Sequence, residues 1–483
     1  MADQFKRKLG LLDATSVVAG SMIGSGIFLV SSAMARDLGA SGWLLLAWIL
    51  TGIITMAAAL SYGELAGMMP EAGGQYVYIR RAWGKLPAFL YGWSVFSVIQ
   101  TGVIAAVATA FANYTSELLP NLGLGQVLLS VGAIDITSGR LVAVGSIVLL
   151  TWLNSRGVEG GSWIQKIFTS AKLLALFALI IFGLAIGIGS ATWNSNFTDI
   201  WEAKRWVVND AGVGSWNEIY GWGLVAVFGM TMINSLFSSD AWNNVTYIAG
   251  EIKDPQRNIP RSLILGTTIV TVLYCLANLA YLALLPLNGD VAGATVAERG
   301  VAFAEMDRVG SAAASMMLGN TATVLMALLI MISTFGCNNG IILAGARLYY
   351  AMAKDGLFFK KAGVLNEKSV PAVGLWIQCV WASVLCFSGT YSDLLVYSTF
   401  ASLLFYIVTI AGLFRLRKTE PGTARPYKAL GYPFIPAFYI LAAGAVSLIL
   451  LFMDFVNTGL GLLIVLIGFP VYLLINRSIS KRA

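Results

Sequence analysis

The sequence predicts an all-α integral membrane protein, a single domain over 1–483 with about twelve transmembrane helices. Three observations predict it. Hydrophobic types make up 58% of the 483 residues and charged types 11%, where an ordinary soluble domain carries about 25% charged residues. The apolar residues fall into runs of the roughly 20 residues that cross a bilayer, not into the short alternating segments of a β-barrel. Lys and Arg collect on alternate connections. This composition excludes a soluble enzyme, a disordered chain and a nucleic-acid binder.

Taken in order, the spans between charges are 14–35, 42–63, 86–116, 141–155, 162–190, 221–249, 262–287, 316–346, 370–389, 394–414, 432–453 and 456–476. Segment 1–35 does not read as a cleaved signal peptide: its apolar stretch is too long, is rich in glycine and is followed by further spans. With both termini placed in the cytoplasm, 24 of the 31 Lys and Arg fall on that side, from Lys6, Arg7 and Lys8 to Lys481 and Arg482. Only Arg36, Arg140, Lys204, Arg205, Arg299 and Arg308 fall outside, and Lys172 stays within a span. This split sets the topology and accounts for the net charge of +7 without an anionic partner.

The connection 66–87 carries Tyr76, Tyr78 and Trp83 beside Arg80, Arg81 and Lys85. It reads as an interfacial helix, a membrane-surface anchor before a gate element. The outer loops 191–220 and 288–315 are long enough to cover a vestibule. Cys275, Cys337, Cys379 and Cys386 all lie in apolar stretches, so no disulfide framework is expected. Histidine is absent, which removes the usual zinc ligands, a Ser-His-Asp triad and a histidine pH switch. No metal and no cofactor are expected.

Two spans carry helix-breaking sequences. The first contains Gly20-Ser21-Met22-Ile23-Gly24-Ser25-Gly26, and each glycine weakens a helix by about 1 kcal/mol relative to alanine. The sixth contains Phe237-Ser238-Ser239-Asp240-Ala241-Trp242-Asn243, where Ser and Asp compete for backbone hydrogen bonds and favour N-caps. Unwound backbone survives in a bilayer only where protein or a water-filled cavity covers it. The breaks lie five spans apart, so span six runs opposite to span one. That is the layout of 5+5 inverted repeats, 11–190 (helices 1–5) and 221–414 (helices 6–10), followed by helices 11 and 12 over 432–476. Half-helix N-termini offer N–H groups to a carboxylate and half-helix C-termini offer carbonyls to an ammonium. A zwitterionic amino acid matches both. The plainer reading of Gly20, Gly24 and Gly26 is close helix packing.

Gly20 to Phe28 resembles the first-span signature of the amino acid–polyamine–organocation superfamily. Glu64 with Gly73-Gly74-Gln75-Tyr76 resembles its second span and loop. Ile167 to Leu174, Phe237 to Asn243, Glu251 to Pro255, Asn258 to Pro260, Phe335-Gly336, Asn339-Gly340 and Arg347-Leu348 resemble the L-type amino acid transporter branch. The resemblance covers nearly the whole chain. It implies a LeuT-type fold and amino acid transport by alternating access. Carried over by position, it implies a carboxylate on the N–H groups of Ser25 and Gly26, beside Gly24. It implies an amine on the carbonyls of Met22, Phe237, Ser238 and Asp240, and Phe237 as an outer gate. Eukaryotic members carry a heavy-subunit cysteine between spans three and four, but 117–140 has none. A free-standing member of the bacterial inner membrane, with no disulfide-linked heavy subunit, is therefore expected.

Lys172 lies about ten residues into span five, roughly 15 Å deep at 1.5 Å per residue. A charged lysine there costs at least about 2.5–3.5 kcal/mol unless paired or hydrated. Its ammonium is expected where sodium-coupled relatives of the fold bind a cation, on carbonyls of broken span one and hydroxyls of Ser333 or Thr334. The plainer alternative is snorkelling. Asp240 is expected to cap the restarting half-helix of span six rather than to pair with a cationic side chain. The leading function is a sodium-independent exchanger of neutral L-amino acids, not an enzyme. The alternatives are a cationic or broad-range amino acid or polyamine antiporter, a proton-coupled symporter, and a sensor on the same fold. A channel would need repeated polar rings, which the spans lack.

Overall fold

A computed structural model describes residues 7–131, 134–388 and 390–480. Lys6, Lys481 and Arg482 of the charge count lie outside the described residues, as do the side chains of Lys166, Ile167 and Arg477.

Helix α1 (Leu11–Met22) stops at Ile23, whose backbone is extended (φ −75°, ψ 90°), and α2 (Gly26–Leu38) restarts the span. The second span is α3 (Ser41–Met68), followed by the short α4 (Gln75–Trp83). One π-helical turn, Val95–Ile99, joins α5 (Lys85–Ser94) to α6 (Gln100–Leu118). Next come α7 (Ser138–Ser155), α8 (Val158–Gly187) and the short α9 (Ala191–Asn196). The sixth span is α10 (Gly221–Ser238) and α11 (Asn244–Tyr247). After α12 (Pro255–Leu284), the short α13 (Val296–Arg299) and α14 (Val309–Leu318) form a second long connection. The chain ends in α15 (Asn320–Lys354), α16 (Ala372–Leu385), α17 (Tyr391–Thr419), α18 (Phe434–Met453) and α19 (Phe455–Ser480).

Ten of these stretches are long and apolar enough to cross a membrane, and α7 and α16 bring the spans to about twelve. A helix satisfies its backbone internally, which a bilayer requires of any spanning segment. The protein is a multi-pass membrane protein of mostly helical, LeuT-type architecture.

The structure departs from the sequence reading in four places. The expected span 316–346 is divided: α14 closes at Leu318, Gly319 takes φ +67°, and α15 runs on to Lys354. Two connecting loops are not irregular. β1 (Val127–Val131) pairs with β2 (Ile134–Thr137), and β3 (Lys204–Val208) with β4 (Gly214–Glu218), both antiparallel. The β-branched and aromatic residues of these segments suit strands, and no apolar run competes there. The helix of the connection 66–87 is not a surface anchor. In α4 the residues Gln75 to Ile79 are buried, and Trp83 is its edge toward the surface. Lastly, the sixth span stops at Tyr247 after an unwound stretch and does not continue to 249.

Broken span one lies in the interior, against α8, α12 and α15. A tight crossing of α3 and α12 supports it from behind: a Cβ on Gly52 would lie 2.1 Å from Thr271 Cγ2, so only glycine fits.

Candidate functional site

The two breaks meet. A Cβ on Gly26 would lie 2.1 Å from Ser238 Oγ and 2.9 Å from Ser238 Cα, so the start of α2 is pressed on the end of α10. Ser25 occupies the N-cap position of α2 without a side-chain capping bond. Its hydroxyl pairs instead with Tyr391 Oη at 3.2 Å. The first N–H groups of α2 therefore face the break, where the helix dipole favours an anion. Gly24 packs on α15, where its Cβ would lie 2.9 Å from Cys337 Sγ. Cys337 Sγ donates to Ser21 O at 3.0 Å.

The carbonyl pole is assembled from both broken helices. The Tyr274 hydroxyl of α12 lies 2.9 Å from Met22 O and 3.0 Å from Ser238 O, within donating distance of both. Phe237 O accepts the Asp240 N–H at 3.1 Å. The ring of Phe237 is buried and meets Tyr391 edge to face, centroids 5.9 Å apart. Tyr391 also lines a vestibule of about 130 Å³, on the side away from the N-terminus, with Asn113, Asn234, Asp307 and Thr390. The pair Phe237–Tyr391 thus stands between that vestibule and the breaks.

Lys172 is fully buried, and its Nζ donates to Gly20 O and to Ile23 O, each at 2.6 Å. Ser333 Oγ donates to the same Ile23 carbonyl at 3.3 Å. Thr334 does not join them. Its hydroxyl bonds Ile330 O and Met331 O of its own helix, which satisfies it locally. Snorkelling is not what Lys172 does: the ammonium points inward, to the unwound carbonyls.

Asp240 does not cap. Asn243 holds the N-cap position of α11, with no side-chain capping bond. Tyr406 of α17 donates to Asp240 Oδ1 at 2.5 Å. Asp240 lines a polar cavity of about 20 Å³ with Gln75, Gln100, Asn244 and Ser402, about the size one water needs. Asn244 Nδ2 is buried there without a hydrogen-bond partner among the described residues.

Below the breaks, on the side that carries the N-terminus, the chain is closed by charge pairs. Arg347 of α15 meets Glu251 at 3.0 Å, both side chains nearly buried. Lys8 and Leu9 N–H donate to Glu251 O, and Lys253 N–H donates to Leu9 O, so the segment ahead of α1 pairs with the segment beyond α11. The Glu64 carboxylate is fully buried and accepts from Arg417, Arg425 and the Ala429 N–H. Tyr76 Oη donates to Asp355, which also pairs with Arg80. Burial, with that carboxylate beside it, pushes the Tyr76 hydroxyl well above the usual tyrosine range.

The structure thus brings together Met22, Gly24, Ser25, Gly26, Phe237 and Ser238, and places Lys172 with Ser333 directly behind them. Sequence reasoning missed Tyr274, Tyr391, Tyr406 and Cys337. Each tyrosine is a polar group within or opening an apolar span, which was the available signal.

Comparison with known proteins agrees with this layout. The family described as amino acid permease matches residues 9–474. The large neutral amino acids transporter small subunit 2 of Mus musculus is 32% identical, over 97% of this chain and 81% of its own length. The serine/threonine exchanger SteT of Bacillus subtilis (strain 168) is 29% identical, over 97% of this chain and 96% of its own length. The Asc-type amino acid transporter 1 of Mus musculus is 27% identical, over 97% and 81%. With a family match across nearly its full length, two helix breaks in contact and a buried lysine on their carbonyls, the chain belongs to the amino acid permease family, on the L-type transporter branch of its superfamily.

Proposed function

We propose that this protein is a secondary amino acid exchanger, sodium-independent and working by alternating access on neutral L-amino acids. The observation that carries the reading is the contact of the two breaks, which sets helix N–H groups beside carbonyls held by the exchangeable Tyr274 hydroxyl. The α-carboxylate lies on the N–H groups of Ser25 and Gly26, beside Gly24. The α-ammonium lies on the carbonyls of Met22, Phe237, Ser238 and Asp240, and takes over Met22 O and Ser238 O from the Tyr274 hydroxyl. Phe237, backed by Tyr391, closes over the substrate. Lys172, with Ser333, fills the place of a coupling cation, so no sodium is needed. The names of the relatives, a large neutral amino acid transporter and a serine/threonine exchanger, support neutral substrates.

The same reading places 11–190 and 221–414 as inverted repeats, with α18 and α19 outside them. It sets both termini in the cytoplasm of a bacterial inner membrane. The stretch 117–140 has no cysteine, so no heavy subunit is disulfide-linked there. A second reading extends the substrates to cationic amino acids. It is favoured by Asp240, a buried carboxylate that does not serve as a cap.

Counterflow in proteoliposomes tests the main reading. Labelled serine or leucine should accumulate only when unlabelled amino acid is inside, equally in sodium and choline buffers. Uptake into empty vesicles at the same rate would refute exchange, and a severalfold sodium dependence would refute the role of Lys172.

A further inference from the structure

An apolar groove runs down the outside of the helices on the membrane half that carries the N-terminus. Ile49, Ile53 and Met56 of α3, Thr268 and Val272 of α12 and Phe438 of α18 line it, around a volume of about 500 Å³. Its walls face outward, with Ile53 48% and Val272 52% exposed. They belong to helices long and apolar enough to span a membrane, so the medium over the groove is hydrocarbon, not water. The volume is that of a pocket for a drug-sized or acyl-chain ligand, for which about 300–1,000 Å³ is usual.

The end of the groove is cationic. Arg257, Arg261, Leu265, Thr268 and Val272 recur at helical spacing and form one stripe of α12, so both arginines continue the groove wall past the apolar span. Tyr427 and Pro260 both lie within 3.3 Å of where a Cβ on Gly63 would sit. Lys428, the next residue, is therefore delivered to the same end. All three cations are exposed, and among the described residues none makes an ion pair or a side-chain hydrogen bond. Glu64 does not neutralise them, because it already accepts from Arg417, Arg425 and the Ala429 N–H, and among the described residues the exposed Asp254 at the start of α12 forms no ion pair with Arg257. An apolar slot open to hydrocarbon, ending in unpaired cations at the membrane surface, matches one chemistry. The ligand has a long acyl chain and an anionic head.

We propose that the groove is a binding site for an anionic phospholipid. One acyl chain lies against α3, α12 and α18, and the phosphate rests on Arg257, Arg261 and Lys428. The site is separate from the substrate path but adjoins it, since α3 and α12 pack behind broken span one and α18 packs on α10 of broken span six.

Native mass spectrometry of the full chain in detergent tests this without reading transport. Phosphatidylglycerol and phosphatidylcholine with identical acyl chains are the probes. One phosphatidylglycerol should be retained in preference to phosphatidylcholine. The triple variant Arg257→Gln, Arg261→Gln, Lys428→Gln should weaken retention roughly a hundredfold, at the strength an interfacial cation has for an anionic membrane. Thr268→Trp should displace the lipid by filling the groove with the cations intact. Removing Lys360, Lys361 and Lys368 instead should change nothing. Equal retention by wild type and the triple variant would overturn the proposal. So would an equal loss on removing the three control lysines, which would mean diffuse attraction, or displacement by inorganic phosphate alone, which would mean a free anion site.

Discussion

Lys172→Ala removes the tie between α8 and the first break. In the structure two carbonyls depend on it: Gly20 O and Ile23 O each accept from Nζ at 2.6 Å. Ser333 still reaches Ile23 O at 3.3 Å. Among the described residues no other side chain donates to Gly20 O. A hydrogen bond to a charged group is worth roughly 1.5–3 kcal/mol, so the two together represent on the order of 3–6 kcal/mol. Part of this is returned, because a buried ammonium no longer has to be desolvated. A net loss of one bond slows exchange roughly ten- to 150-fold. The assay is serine exchange in preloaded proteoliposomes, beside a thermal melt of the same protein in detergent. Exchange should fall by that factor while the melting temperature stays close to wild type, since the rest of α8 keeps its packing. Wild-type exchange by a folded Lys172→Ala protein would refute the idea that this ammonium holds the break.

Four further outcomes follow from the same geometry. Gly26→Ala should abolish exchange, because the new Cβ would sit 2.9 Å from the backbone Cα of Ser238; overpacking of this kind costs about 1–3 kcal/mol, and normal exchange would show that the breaks do not meet. Amino acid amides and decarboxylated amines should compete poorly in binding, since both lack the carboxylate that faces the start of α2; competition by putrescine equal to that of any amino acid would point to polyamine transport. Asp240→Asn should leave competition by Ala, Ser and Leu unchanged, and selective loss of strong Lys and Arg competition would establish the cationic reading instead. Glu64→Ala should destabilise the protein by about 3–5 kcal/mol, the usual cost of breaking a buried ion pair, seen as a lowered melting temperature; an unchanged melt would mean that Arg417 and Arg425 find other partners.

The breaks were legible because weak helix formers interrupt otherwise apolar runs, at Gly20 to Gly26 and at Phe237 to Asn243. Lys172 was legible because nothing but depth is needed to see that a charge so placed must find oxygen atoms. What surrounds those positions was not legible. Whether Thr334 faces the break or its own helix depends on rotation about the helix axis, and Ser333, one residue earlier, is the one that faces Ile23. Asp240 was misread because its partner, Tyr406, is 166 residues away; local capping chemistry was the only partner that sequence could offer. Tyr274 and Tyr391 look like any aromatic of a span until the chain is folded. The hairpins were missed because these glycine-containing connections offered no long apolar run to read.

The short backbone pairing ahead of α1 has a mechanical consequence. Were the foot of the first broken helix and the stretch beyond the sixth free of one another, the N-terminal side would have two leaves, each able to swing alone. The bonds from Lys8 and Leu9 to Glu251, and from Lys253 to Leu9, join them into one. Displacing the first leaf by itself means stripping three backbone bonds, at about 0.5–1.5 kcal/mol each, whereas moving both together strips none. Half-open states become rare, and a door with a single leaf leaves no gap through which ions can leak while the substrate passes.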